Sequence, residues 1–227
     1  MKKPLVIFGT GKIAEVVHYY ATELCGFNVA AFCVDGEFIK GNEFLSKPVI
    51  SFESVEKKYP PEQFDMFVAI GYHQMNEVRK EKYEAAKARG YYFVSVISPE
   101  PTLPKNIITG DNCFIMPPAL IHPCVTIGNN VFVWSGAMVG HHCTIGDHTW
   151  LTSTCNIGGN VTVGKGVFVA LGATISHSIK IGDACFLGAN TLVTKNMENE
   201  QVVIAESSKP IKLNSKQFLK FSSFSSL

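Results

Sequence analysis

Two adjacent histidines stand in the run Val139-Gly140-His141-His142-Cys143-Thr144-Ile145-Gly146-Asp147. An imidazole titrates near neutral pH, so it can take a proton from an amine or hydroxyl as that group attacks carbon. Steps of eighteen residues connect Lys105, Pro123, His141, Gly159, His177 and Lys195. If eighteen residues make one coil, Gly159 lies one coil from His141, and its backbone N–H is placed to bind a developing oxyanion. Lys195 lies three coils along, about 14 Å at the strand spacing, a reach that suits phosphates. A second group sits near the start: Gly9-Thr10-Gly11-Lys12-Ile13, Asp35, and Gly71-Tyr72 each follow a short apolar run. Glycines after a strand let a phosphate approach backbone N–H groups at a helix start. An acid at the end of a second strand is placed to bind a ribose hydroxyl. The third glycine of the dinucleotide pattern is absent, with Ala14 in its place. These residues alone therefore fit a tight turn with a solvated Asp35 equally well.

The elements that must hold the histidines form a repeat. From Leu103, every sixth residue to Val193 is aliphatic except Thr109. The position four later is small or β-branched, as at Cys113, Ala137, Cys143, Cys155, Ala173 and Cys185. Helices do not repeat at six and simple strands repeat at two. Six residues fit a short strand plus a turn, and three such units close a triangular coil. Residues 103–194 carry only Lys105, Asp111, Asp147, Lys165, Lys180 and Asp183 as charges, whereas 1–98 hold 12 Lys+Arg and 12 Asp+Glu. So bare a surface suits flat faces that meet other subunits. The column Asp111, Asn129, Asp147, Lys165, Asp183 reads as a structural ladder. Cys113, Cys143, Cys155 and Cys185 fall on the small inward position, where a free thiol acts as a small hydrophobe.

The first ninety-eight residues read as a small α/β unit. Strands are expected at Pro4–Phe8, Val29–Val34, Phe67–Ile70 and Tyr92–Ile97. Helices are expected at Ile13–Cys25 and Gln74–Arg89, the latter stopped by Gly90. Alternating strands and helices imply a parallel sheet. So short a unit leaves no second half for a dinucleotide dehydrogenase. Ser98-Pro99-Glu100-Pro101 marks the junction, which divides the chain at 1–98, 99–206 and 207–227. The end, Gln217–Leu227, is rich in Phe and Ser and shows no helical periodicity.

The unbroken hexads resemble those of the left-handed parallel β-helix, whose handedness departs from the usual crossover rule. A glycine-turn α/β unit followed directly by such hexads resembles the bacterial nucleotide-sugar N-acetyltransferases that act on UDP- or dTDP-linked 4-amino-4,6-dideoxy sugars. Sialic acid O-acetyltransferases share the architecture. The resemblance implies a Rossmann-like nucleotide-sugar unit and a β-helix that takes acetyl-CoA as co-substrate without a metal. It also implies a homotrimer with sites between subunits and a product used in surface polysaccharide, such as lipopolysaccharide or capsule, or other glycan. It makes His141 the general base and Gly159 the oxyanion donor. It assigns Gly11, Lys12, Ile13, Asp35, Gly71 and Tyr72 to the nucleotide sugar. Trp150, Leu171 and Ala189 fall to acetyl-CoA by the resemblance, although a tryptophan on a flat face suits subunit packing equally, and the eighteen-residue column adds Gly159, His177 and Lys195 to the acetyl-CoA side. The family pattern follows the base with Asp or Glu, and His142 stands there instead. Taken singly, His122, His148 and His177 read as solvated turn residues. The first turn is shorter than the family's Ser-Gly-His and carries Lys12. The tail turn Ala205-Glu206-Ser207-Ser208-Lys209-Pro210 departs too.

Other readings are narrower. His141 and His177 mimic part of the ligand set of the γ-class carbonic anhydrases, but the third histidine would fall at Gly182, and zinc needs three protein ligands. A non-enzymatic β-helix scaffold has no need of histidines on one corner. The net charge of +1 argues against nucleic acid. No run of eighteen apolar residues exists, and the apolar stretch after Lys3 is too short for a signal peptide. A cytoplasmic enzyme is the expectation, with seven cysteines that match no disulfide framework.

Overall fold

The computed structural model describes residues 2–99 and 103–221. The first unit is a five-stranded sheet of β1 (Leu5–Phe8), β2 (Val29–Val34), β3 (Glu43–Phe44), β4 (Lys47–Ser51) and β5 (Asp65–Val68). The strand order is β3-β4-β2-β1-β5, parallel except for the β3–β4 hairpin. Three helices accompany it: α1 (Lys12–Tyr19), α2 (Val55–Lys58) and α3 (Glu77–Ala88). All four residues of β1 are buried, because successive side chains serve opposite layers. Leu5 and Ile7 pack with Ala14, Val17 and Ala21, while Val6 and Phe8 pack with Phe52, Val55, Tyr83 and Ala86.

Three local expectations change. The first helix does not stay α-helical to Cys25 but widens to a π-helical segment over Tyr20–Leu24. The hairpin β3–β4 and α2 carried too little apolar periodicity to be expected. The segment Tyr92–Ile97 is not one strand of the first sheet. Phe93 makes an isolated bridge to Met66, and Val96–Ile97 pairs instead with Phe114–Ile115. The chain thus passes from one sheet to the next within a few residues. Of the expected junction, Glu100 and Pro101 lie outside the described residues.

The hexads wind into a triangular prism with three parallel sheets. The first face runs from Ile108–Thr109 to Lys180–Ile181, the second from Val96–Ile97 to Val202–Val203, and the third from Leu120–Ile121 to Leu192–Val193. Neighbouring strands pair eighteen residues apart, as Phe132 with Trp150 and Met138 with Asn156. The hexad aliphatics fill the interior with Cys113, Cys143, Cys155 and Cys185, all free thiols. Burial pushes Cys113 up to about 11 and Cys155 to about 12, so both stay neutral. The expected ladder is present. Asp111 N–H donates to Asn129 Oδ1 (3.1 Å), Asn129 N–H to Asp147 Oδ1 (2.8 Å), and Lys165 N–H to Asp183 Oδ1 (2.8 Å).

The second face corrects the expectation that the flat faces meet only other subunits. Its outward positions are Phe114, Phe132, Trp150, Phe168 and Phe186, eighteen residues apart. Phe132 stacks on Trp150 at 4.6 Å and Phe168 on Phe186 at 5.2 Å. The α/β unit covers this ladder: Tyr20 meets Phe114, and Phe67 meets Phe132. A stack of coils leaves this aromatic surface bare, so burying it against the chain's own first unit removes it from water. Trp150 is therefore buried inside one chain.

Polar groups lock the two units together. The free edge of β5 is satisfied by Asn112, whose amide accepts from Val68 N–H (2.7 Å) and donates to Val68 O (3.3 Å). Asn112 also donates to Asn130 Oδ1 (2.8 Å), and Asn130 Nδ2 meets His148 Nδ1 at 2.9 Å. From α3, the fully buried Arg79 donates to Asn130 Oδ1, Asn76 Oδ1 and His148 O, and lies over the Phe132 and Trp150 rings. Burial pushes its guanidinium down to about 9, so it remains charged at neutral pH. His148 is not a solvated turn residue. Burial, then the adjacent Arg79 charge, lowers it to about 4.

The tail also differs from expectation, because Ser215–Phe221 forms a short exposed helix, α4. Phe218, Leu219 and Phe221 recur at a spacing too short to display a period. No helix among the described residues is long and apolar enough to cross a membrane.

Candidate active site

Loops after parallel strands gather at the carboxyl edge of a sheet, and a crevice opens where successive strands leave β1 in opposite directions. Here β2 and β4 lie on one side of β1 and β5 on the other. The crevice thus falls between the loops after β1 and β5, which are residues 9–11 and 69–76. Gly9 holds φ +124°, and a Cβ there would stand 2.8 Å from Ala69 O, so only glycine lets the two loops close. Gly11 caps α1, and Lys12 is exposed beside it. Gly71 lies against Ile13 and His73, since a Cβ there would sit 3.8 Å from Ile13 Cγ1 and 3.9 Å from the His73 ring. Asp35 is also at this edge but is held by Lys82 of α3 at 2.8 Å. A ribose hydroxyl would share Asp35 with that ammonium. Beside it Glu53 accepts from Ser51 Oγ and from Gly36 N–H, which lowers its carboxyl from the ordinary value.

Tyr72 extends from the crevice onto the aromatic ladder, 4.6 Å from Phe168 and 5.5 Å from Trp150 between ring centroids. A cavity of about 440 Å³ opens there, lined by Ile13, Tyr72, Trp150, Leu171 and Ala189 together with Trp134 and Phe168. Residues expected on the nucleotide side and on the coenzyme side therefore share one wall system. Trp134 and Phe168 were missed, and so was His73. The signal for Phe168 was the eighteen-residue aromatic spacing, while Trp134 and His73 show no pattern. The buried Trp134 Nε1 has no hydrogen-bond partner among the described residues. A separate cavity of about 510 Å³ includes Lys2, Asp65 and Tyr92 and holds none of the expected site residues.

His141 lies elsewhere. It sits on the corner between the third and first faces, whereas the cavity lies by the corner between the second and third, which carries residues 152–153 and 170–171. One chain does not bring His141 to the cavity. The histidine corner differs from the ladder corner. A Cβ on Gly159 would stand 2.7 Å from His141 Nε2 and 2.8 Å from Cε1, so the ring rests on the bare glycine. On the ladder corner, Asn or Asp side chains cap the backbone N–H of the coil before them. Here the matching residues are Gly159 and His177, and the N–H groups of His141 and Gly159 have no partner among the described residues. His177 and Lys195 follow along the same corner, both exposed. His142 is exposed, with its Nδ1 3.1 Å from His141 Nδ1.

Comparison with known proteins agrees with this architecture. Residues 106–141 match the family model described as bacterial transferase hexapeptide (six repeats). The matched hexads continue through the three faces of the prism. Among solved hexapeptide-repeat relatives, PerB from Caulobacter crescentus, determined with CoA and GDP-perosamine, is 26% identical over 89% of this chain and 94% of its own, with TM-score 0.80. The acetyltransferase domain of PglB from Neisseria gonorrhoeae is 24% identical over 92% of this chain and all of its own, also at 0.80. WeeI from Acinetobacter baumannii is 18% identical over 89% and 96%, at 0.74. No curated protein sequence matches the chain. In structure the hexapeptide-repeat chain closely matches the nucleotide-sugar N-acetyltransferases, with an α/β unit followed by a left-handed β-helix.

Proposed function

We propose that the protein is a cytoplasmic N-acetyltransferase that moves the acetyl group of acetyl-CoA to the amine of a nucleotide-linked sugar for surface polysaccharide or glycan synthesis. The observation that carries this reading is the shared cavity, where the switch-point residues Ile13 and Tyr72 meet Trp150, Leu171 and Ala189 of the β-helix. PerB, solved with CoA and GDP-perosamine, supports both ligands.

In this reading the nucleotide lies over Gly11, Lys12 and Gly71, with Lys12 beside the pyrophosphate and Asp35 near the ribose. The coenzyme follows the prism, its thioester near Gly159 and its phosphates toward Lys195, with His177 between. The sugar amine attacks the thioester carbon, the new C–N bond forms, and the C–S bond breaks to release CoA. His141 Nε2 takes the ammonium proton, and the open Gly159 N–H steadies the oxyanion. Because His141 and the cavity occupy different corners, a second copy supplies the missing half in this reading, and the working form is the homotrimer that the resemblance implies.

A thermal-shift series with CoA, UDP, dTDP and GDP tests this reading. GDP joins the set because PerB was solved with a GDP sugar. Stabilisation by CoA and one nucleotide is expected. Stabilisation by CoA alone removes the nucleotide role of the first unit, and stabilisation by none favours a scaffold.

A further inference from the structure

We propose that His142 is the positioning residue of the base: its ring accepts the Nδ1 proton of His141 and leaves the His141 Nε2 lone pair free over Gly159. This rests on the acyl-transfer reading and names how its base is held.

The two Nδ1 atoms are 3.1 Å apart, and the rings stand 83° to each other. Nitrogens this close hold one proton between them, since two lone pairs or two N–H groups would repel. If the proton belongs to His141, its Nε2 is a free base. If it belongs to His142, His141 must carry its own proton on Nε2 and can accept none. The bond therefore couples the tautomer of the base to that of His142, and with the proton on His141 the His142 ring performs the task that a carboxylate performs beside other catalytic histidines.

The His142 side chain departs from the rest of its column. His142 holds φ +59°, a left-handed corner conformation. Its column is Asn106, Cys124, His142, Asn160, Ser178. The other side chains pair along the column: Asn106 Nδ2 donates to Cys124 Sγ (3.0 Å) and Asn160 Nδ2 to Ser178 Oγ (3.2 Å). His142 breaks that pattern and turns sideways to His141. The groups around the pair are Cys143 beneath, its thiol pushed up by burial, and Pro123 and Cys124 one coil before. Gly159 and Asn160 lie one coil after, and His177 and Ser178 follow. Among the described residues no carboxylate bonds to either ring.

Nitrogen NMR on the ¹⁵N-histidine-labelled full chain reads the tautomer without any activity, and kcat–pH profiles read its consequence. Asn160 and Ala184 occupy equivalent left-handed corners, so His142→Asn and His142→Ala suit the backbone. Wild type is expected to show His141 protonated at Nδ1 and bare at Nε2. His142→Asn keeps an acceptor oxygen and retains both the tautomer and kcat to within about threefold. His142→Ala loses the tautomer preference and about tenfold in kcat, with both KM values unchanged. His142→Asp moves the acid limb of kcat upward by about one pH unit. A His141 tautomer that is Nε2–H in wild type, or the same in His142→Ala as in wild type, overturns the proposal, as does an unmoved acid limb in His142→Asp. If the tautomers follow this order but neither wild type nor any variant transfers acetyl, the pairing stands and the acyl-transfer reading falls.

Discussion

Gly159→Ala is the sharpest probe of the histidine corner. The added Cβ would stand 2.7 Å from His141 Nε2, 2.8 Å from Cε1 and 3.2 Å from Cδ2. Ordinary contact begins near 3.4 Å, so the ring must withdraw by about 0.7 Å or rotate off the glycine. The atoms struck are the far end of an exposed side chain, and Gly159 does not hold a positive φ, so the coil itself is not strained. Stability should change little, with Tm within about 2 °C of wild type. Catalysis should not survive so well, because a displacement near 1 Å in a reacting group costs about 100-fold. Gly140→Ala is the contrast. Its Cβ would lie 2.6 Å from Gly159 N and 2.7 Å from Gly158 C, backbone atoms that cannot swing away, so the fold should weaken first. The assay is acetyl transfer to the nucleotide sugar that binds best, with CoA release followed by a thiol reagent, beside a thermal melt of each variant. A folded Gly159→Ala enzyme with kcat within threefold of wild type would falsify the placement of His141 as the base over Gly159.

Three further outcomes follow from the same geometry. Tyr72→Ala removes the ring that joins the crevice to Trp150 and Phe168, so KM for the nucleotide sugar should rise about tenfold while the melt changes little; an unchanged KM would move the sugar out of this cavity. Arg79→Met leaves Asn76 Oδ1 and the His148 carbonyl without their buried donor, while Asn130 keeps its bond from Asn112, and should cost about 3 kcal/mol, a fall in Tm of roughly 6–10 °C; a Tm within 2 °C of wild type would show that the clamp contributes little. His148 is held near 4 when folded against about 6.5 when unfolded, so the unfolded chain binds the extra proton between those values. Stability should be unaffected above pH 6.5, fall as pH drops through that window by up to about 3 kcal/mol, and level off below 4; urea melts of wild type and His148→Asn should differ in that slope, and identical slopes would refute the assignment.

Much of this protein was legible because the β-helix is nearly one-dimensional. Each hexad places its aliphatic residue inward by local register alone, so the interior, the buried cysteines and the Asp111–Asp183 ladder could be read without a partner in view. The same periodicity placed His141 against Gly159. What it does not encode is which flat face is covered. Phe114, Phe132, Trp150 and Phe168 look like exposed positions in a coil, and only the docking of the α/β unit turns them into a core. That docking also buries His148, draws Arg79 over the aromatic stack, and sets Tyr72 against Trp150. It separates the cavity from His141 by one face of the prism. The local repeat determined what each coil contains, because neighbouring strands pair at a constant spacing. The tertiary structure decided which of those residues meet, because burial against a second unit depends on shape and surface that no period records.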